Sequence, residues 1–307
     1  MDKKDRIDAF GASSLIGFSL LLGLNQVMIK IVNGGLQPVF QAGLRSLLAF
    51  PIVVLIALIF RQKLAVNDGS LWPGLLSGVF FGGEFILLFL ALDYTSVARA
   101  SIFFYTMPFW VALGAHFLIA GERLNGQRIA GLLLAIAGVA LALSGNAQPV
   151  SDLALVGDIL CLFGAMMWAG IALLARTTSL SKSTPYMQLV YQLAVSAPMI
   201  LLAALFFGPF IRDLQPYHLG LFAFQVIVIV SMGFAFWFWL LSKYPASDMA
   251  SFGFLAPLFG VAFGWLILDE PVGPRLIAAL LLVAIGIVLV NRRPKSKASA
   301  TVNQDHA

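Results

Sequence analysis

A chain of 307 residues that is 60% hydrophobic and 11% charged, with a mean hydropathy of +0.95, is not a soluble globular domain; those are nearer half apolar and a quarter charged. The length suits about ten spans of ~20 residues joined by short loops, with nothing left over for a soluble domain. The single cysteine, Cys161, excludes an intramolecular disulfide, and the net charge of +5 is explained by basic loops at a cytoplasmic face rather than by an acidic partner.

Hydrophobicity predicts ten helical spans, over residues 9–32, 38–60, 71–92, 97–119, 128–144, 154–175, 185–207, 218–240, 247–268 and 275–291. Helices are expected because lipid offers backbone groups no hydrogen-bond partners. The first apolar run follows Lys3, Lys4 and Arg6 as a signal peptide would. It passes into Asn25, Gln26 and Lys30 without a small-x-small cleavage site, so it reads as a retained helix. With the N-terminus inside, fourteen basic residues fall in inner segments and three, Arg99, Arg212 and Arg275, in outer ones. That bias places both termini in the cytoplasm and requires an even number of spans.

The polar run 144–152 divides the chain into residues 1–146 and 152–293, five spans each, followed by a polar tail, 294–307, expected to be a disordered cytoplasmic segment. Five is odd, so the second half runs opposite to the first, an inverted repeat of the kind found in secondary transporters. The repeat is visible in the letters. Residues 97–143 echo residues 246–290: Pro108 falls on Pro257, Glu122 on Glu270, Ile129-Ala130 on Ile277-Ala278, and Gly138 on Gly286. The expected fold class is therefore an all-α membrane protein of ten transmembrane helices in two inverted five-helix repeats.

On these residues the chain resembles the drug/metabolite transporter superfamily in its ten-span EamA type. Pro108, Gly121-Glu122, Gly131 and Gly138, their echoes Pro257, Asp269-Glu270 and Gly286, and Arg45 in the second span carry the resemblance. The stretch Tyr94 to Ala100, followed by Tyr105-Thr106-Met107-Pro108, is most similar to the YddG-type exporters of aromatic amino acids. The resemblance implies export of small metabolites, often amino acids, across the bacterial inner membrane. The second half departs from the pattern at Tyr191-Gln192, near where the repeat would place an arginine.

Two charges are placed deep in spans. Glu84 sits about eight residues, or ~12 Å, below the outer end of span three, and Arg45 about seven residues, or ~10 Å, below that of span two. Each would cost about 2.5–3.5 kcal/mol facing lipid at the bilayer centre, so both are expected to face the interior and to pair directly or through water. Three roles stay open for them: a structural ion pair, a substrate clamp and a proton-coupling carboxylate. Pro108 and Pro257 lie about 11 and 10 residues into oppositely directed spans, near the midplane, and read either as static kinks or as hinges. Tyr105 and Trp168 read as cavity lining or as ordinary packing. Gln26, Gln41, Gln188, Tyr191 and Gln192 are uncharged candidates for hydrogen bonds to substrate or between helices.

Other polar residues receive blander expectations. Lys30 is expected to snorkel to the outer interface, Asp158 to be solvated, and His116 to lie at an interface. Glycines 74, 78 and 82 form a packing stripe turned away from Glu84, and Gly253, Pro257, Gly260 and Gly264 a similar one. There is no H-E-x-x-H, no G-x-S-x-G elbow and no P-loop, so no catalytic, metal or cofactor role is expected. The sequence thus predicts a non-enzymatic secondary exporter of small amphipathic metabolites working by alternating access. Amino acids, aromatic or hydrophobic ones favoured, are the expected cargo, with drugs, nucleosides or sugar conjugates as the alternative. The expected partners are the substrate and the lipid bilayer, with no nucleic acid, and the chain is expected to be monomeric.

Overall fold

The computed structural model describes residues 7–120, 122–144, 151–245, 249 and 252–291. The expectations for Lys3, Lys4, Arg6, Gly121, most of the 144–152 divider and the tail from 294 fall outside the described residues. The chain folds as helices α1 (Ala9–Asn33), α2 (Pro38–Ile59), α3 (Leu71–Tyr94), α4 (Val97–Phe104), α5 (Met107–Leu118), α6 (Gly126–Leu143), α7 (Ala154–Thr177), α8 (Pro185–Ala204), α9 (Pro216–Phe224), α10 (Phe234–Lys243), α11 (Leu255–Leu268) and α12 (Pro274–Asn291). A one-turn 3-10 helix, Ser179–Lys182, precedes α8, and a π-helix, Gln225–Gly233, joins α9 to α10. Among the described residues nine helical segments are at least 18 residues long and apolar enough to cross a membrane; α11, with 14 residues, is a shorter apolar helix.

Helix starts follow the capping rules. Asp8, Gln37, Ser96, Asn125 and Thr184 each accept a hydrogen bond from a backbone N–H of the following turn. α2 and α8 each open with a proline in the first turn, Pro38 and Pro185, where the missing N–H costs nothing. Each carries a second proline 13 residues on, Pro51 and Pro198. In this register Gln188 stands where α2 has Gln41, and Gln192 where it has Arg45. Large side chains such as Leu58, Phe117, Phe206 and Trp265 are exposed, as expected of faces turned to lipid.

Small residues set the helix contacts. Along α3, Gly74 lies against the Tyr191 ring, Gly78 against Val195 and Gly82 against Met199, all on α8. α6 and α12 cross at glycines: a Cβ on Gly131 would stand 2.8 Å from the Gly286 carbonyl oxygen, and one on Gly138 2.8 Å from that of Ala279. Residue 131 and 279, and likewise 138 and 286, differ by 148, so the two contacts exchange when each half is renumbered as the other. A contact that maps onto its own counterpart in this way is the signature of a two-fold relation. The crossing is antiparallel, so the two repeats are inverted with respect to each other.

The predicted span 97–119 is not one helix. It breaks at Tyr105-Thr106 and restarts as α5 with Pro108 in its first turn. Proline has no N–H to bond the carbonyl four residues back, and it disfavours the helical region for the residue before it. The break is held by tighter bonds instead: the Thr106 amide and hydroxyl both donate to Phe103 O, at 3.2 and 2.6 Å. In the second repeat α11 likewise begins only two residues before Pro257.

Candidate functional site

The break in the fourth span brings together the side chains that the sequence singled out by depth. Tyr105 is buried at the end of α4, its ring edge-on to Trp168 of α7 with centroids 5.9 Å apart. Trp168 stacks on Phe104 at 5.2 Å and 22°. Three aromatic rings therefore line one corner of the break. Glu84 of α3 lies within Coulombic reach of Tyr105 and of Arg45. It is 4% exposed, and its Oε2 has no hydrogen-bond partner. A buried carboxylate oxygen left unsatisfied is costly and normally receives a donor.

Of the pairing expected for Arg45 and Glu84, directly or through water, the direct form is not made: no salt bridge or hydrogen bond joins them, although each lies in the other's field. The guanidinium instead lies over the rings of Phe85 and Phe89, 4.2 and 4.7 Å from their centroids, and is 2% exposed. The reason is rotation about α3. Phe85 and Phe89 stand one and five positions after Glu84, and successive helical residues point about 100° apart. Equal depth on adjacent helices did not make equal facing. The aromatic faces supply a cation–π field that holds the guanidinium without neutralising it.

The glutamines divide. Gln26 of α1 is buried, and its Oε1 accepts from the Ser101 hydroxyl of α4 at 2.6 Å, against Gly260 of α11. Gln41 of α2 is fully buried and donates to Gln225 Oε1 at 3.4 Å, at the start of the π-helix. Gln41 Oε1 and Gln225 Nε2 have no partners. Gln188 is placed elsewhere: its amide donates to Leu180 O and Ser183 O at one end of the bundle. Tyr191 shares a hydrogen bond of 3.1 Å with the Ser70 hydroxyl, at the start of α3 and about 21 Å along that helix from Glu84. Gln192 donates to Ser77 Oγ at 3.1 Å. The structure thus gathers Glu84, Arg45, Tyr105 and Trp168, and leaves Gln188 and Tyr191 outside that cluster.

One bland expectation is corrected: Asp158 is not solvated but fully buried, bonded by the Arg99 guanidinium and by the Thr95 hydroxyl at 2.8 Å. Lys30 is half-buried, and its ammonium donates to Leu92 O at 3.1 Å and Thr95 O at 2.5 Å, satisfying carbonyls at the end of α3. Sequence reasoning also missed His218, buried at 3% exposure against Gly35. Its cue was present: Gln215 and His218 cap each other's turn, the spacing of a capping box. Among the described residues no three His, Cys, Asp or Glu side chains are grouped to hold a metal ion.

This arrangement offers a buried cation that no carboxylate bonds directly, a nearby carboxylate with an open acceptor and an aromatic corner. The sequence profile of the EamA-like transporter family matches the chain twice, over residues 9–144 and 155–292. The chain is 24% identical over 278 residues to the uncharacterized transporter YoaV of Bacillus subtilis, covering 90% of this chain and 94% of that one. It is 29% identical over 278 residues to a probable amino-acid metabolite efflux pump of Escherichia coli, covering 85% and 88%. A crystal structure 19% identical in sequence superposes with a TM-score of 0.66 over 91% of this chain and 97% of the other, a likeness of fold.

Proposed function

We propose, from the premise that this chain belongs to the EamA-like transporter family, that it exports amino acids or closely related amphipathic metabolites across the bacterial inner membrane. The observation that carries the reading is Arg45, a buried guanidinium held over two aromatic rings with no direct bond to a carboxylate, near Glu84 with an unpartnered oxygen. A zwitterion complements both: its carboxylate takes the guanidinium and its ammonium takes Glu84 Oε2. Tyr105, Phe104 and Trp168 offer an apolar, ring-lined surface to the side chain. The name of the Escherichia coli relative, an efflux pump for amino-acid metabolites, supports the same substrate class.

Transport proceeds by alternating access between the repeats at residues 1–146 and 152–293, about a midplane site flanked by the helix starts at Pro108 and Pro257. Both termini face the cytoplasm, and no catalytic step is involved. With Glu84 as the one deep acid, facilitated diffusion is the simplest coupling. Counterflow in proteoliposomes tests this. Vesicles loaded with unlabelled phenylalanine, tryptophan, methionine or threonine should take up the labelled compound saturably without a pH gradient. Uptake only with a proton gradient would make Glu84 the coupling group. No exchange with any amino acid, from protein shown to be folded, would overturn the substrate class.

A further inference from the structure

Two acid–base couples at opposite faces of the bundle join one repeat to the other and are equivalent by sequence. Glu122 and Glu270 are equivalent, 148 residues apart. Lys30 of α1 and Arg176 of α7 are equivalent too. They stand 146 apart, as do Gly11 and Gly157 on the same helices, which pack on Tyr244 and on Thr95 respectively. Lys30 lies in the field of Glu270, and Arg176 pairs with Glu122. The two-fold relation thus exchanges one acid–base couple for the other.

Yet the couples are in different states. Glu270 is 5% exposed, and its two oxygens accept from the backbone N–H groups of Val97 at 2.7 Å and Ala98 at 2.9 Å. Its carboxylate fits against Gly264, where a Cβ would stand 2.6 Å from Oε2. It closes the N-terminus of α4, satisfying orphan donors where negative charge is favoured. Lys30 beside it is spent on the end of α3. On the opposite face Glu122 and Arg176 are 32% and 42% exposed and bind only each other. Exposed pairs of this kind hold little.

We propose that the two couples are alternating latches: Glu270 seated on α4 holds the Lys30 face shut, and transport to the other state unseats Glu270 while Glu122 leaves Arg176 and becomes buried. This rests on the transporter reading above, but not on which molecule is carried. In each state one acid is clamped on backbone donors and the other is idle, so the energy released on one face offsets the cost on the other.

The test uses the full-length protein in liposomes with Cys161→Ala and Ala98→Cys. Ala98 is fully buried and donates its N–H to Glu270. The readout is the rate of modification by a membrane-impermeant maleimide. Glu270→Gln removes the charge and sets a donor-only NH2 against one of the two backbone N–H groups, so one hydrogen bond is lost and the other weakened, and labelling should rise about tenfold or more. Gly264→Ala dislodges the same carboxylate sterically while keeping its charge. It should give the same rise, and it carries the test alone if the glutamine variant does not fold. Glu122→Gln should leave labelling at or below the parental rate. Unchanged labelling in folded Glu270→Gln or Gly264→Ala would overturn the latch, and so would an equal rise in Glu122→Gln. Failure of amino-acid counterflow in the parent would remove the substrate assignment and leave this result standing.

Discussion

Arg45 and Glu84 are buried at one level of the bundle and are not bonded to each other. In the proposed site each is one half of a receptor that the substrate completes. Two rings hold the arginine and no acid bonds it directly, so its N–H groups remain open to an incoming carboxylate. Arg45→Gln should raise KM for an amino acid about ten- to a hundred-fold, the weight of a charge-assisted hydrogen bond. Arg45→Lys should recover part of that loss, because an ammonium keeps the charge but not the planar fork. Counterflow over a range of substrate concentrations measures both; equal KM in all three proteins would remove Arg45 from the site.

The aromatic corner makes a separable prediction. Trp168→Ala removes the ring that stacks on Phe104 and meets Tyr105 edge-on. An aromatic contact of this kind is worth about 0.5–1.5 kcal/mol. KM should rise about three- to tenfold for phenylalanine or tryptophan and less for threonine. Tyr105→Phe, which keeps the ring, should change the ratio little. A uniform loss across substrates would assign these rings to packing.

Asp158 is a stability residue. Removing its charge leaves Arg99 without its carboxylate partner and Thr95 without its acceptor. Breaking one side of a buried pair costs about 3–5 kcal/mol. Asp158→Ala should lower the melting temperature in detergent sharply, and Arg99→Ala together with Asp158→Ala should cost less than the two single changes summed. Additive losses would mean that the pair is energetically uncoupled.

The α6–α12 crossing admits no side chains where its glycines meet. Gly131→Ala would set a Cβ 2.8 Å from a backbone oxygen that cannot step aside, and Gly286→Ala one at 2.7 Å from Gly131 O. Overpacking at this level costs about 1–3 kcal/mol. Gly17→Ala, with nothing within 4 Å, is the control and should be neutral or slightly stabilising. Thermal unfolding of the three variants checks this, and a Gly131→Ala protein as stable as the control would show that the helices can part at no cost.

The features legible in the sequence were those set by one helix at a time. Hydrophobic length placed the spans, and depth counting put Arg45 and Glu84 at one level. Pro108 marked where the fourth span is interrupted, though not that it would break fully at Tyr105-Thr106, and Pro257 lies in the first turn of α11. The paired letters of residues 97–143 and 246–290 announced the repeat. What stayed hidden depends on rotation and on neighbours. Phe85 and Phe89 take Arg45 from Glu84 because α3 turns them toward it. Tyr191 lies on the wrong level because its ring fills the gap at Gly74. Asp158 and Glu270 sit near span ends, where solvation is the default, and their burial comes from Arg99, Thr95 and the start of α4, none of them adjacent in the chain. Glu270 was visible as the twin of Glu122, but a twin on paper gives no hint that only one of the two is seated.

The antiparallel crossing of Gly131 with Gly286 and of Gly138 with Ala279 is the self-complementary contact that two oppositely oriented copies of one five-helix protein would form across a two-fold axis. Each half carries on its last helix the small residues the other needs, so the joint is encoded twice and owes nothing to the covalent link between them. A gene cut between codons 144 and 151 would leave both partners of that joint intact. Duplication and fusion of a shorter ancestor accounts for such a contact without any new surface having to evolve. The halves differ more sharply away from the joint, at Arg45 against Gln192, where one carries a charge and the other an amide.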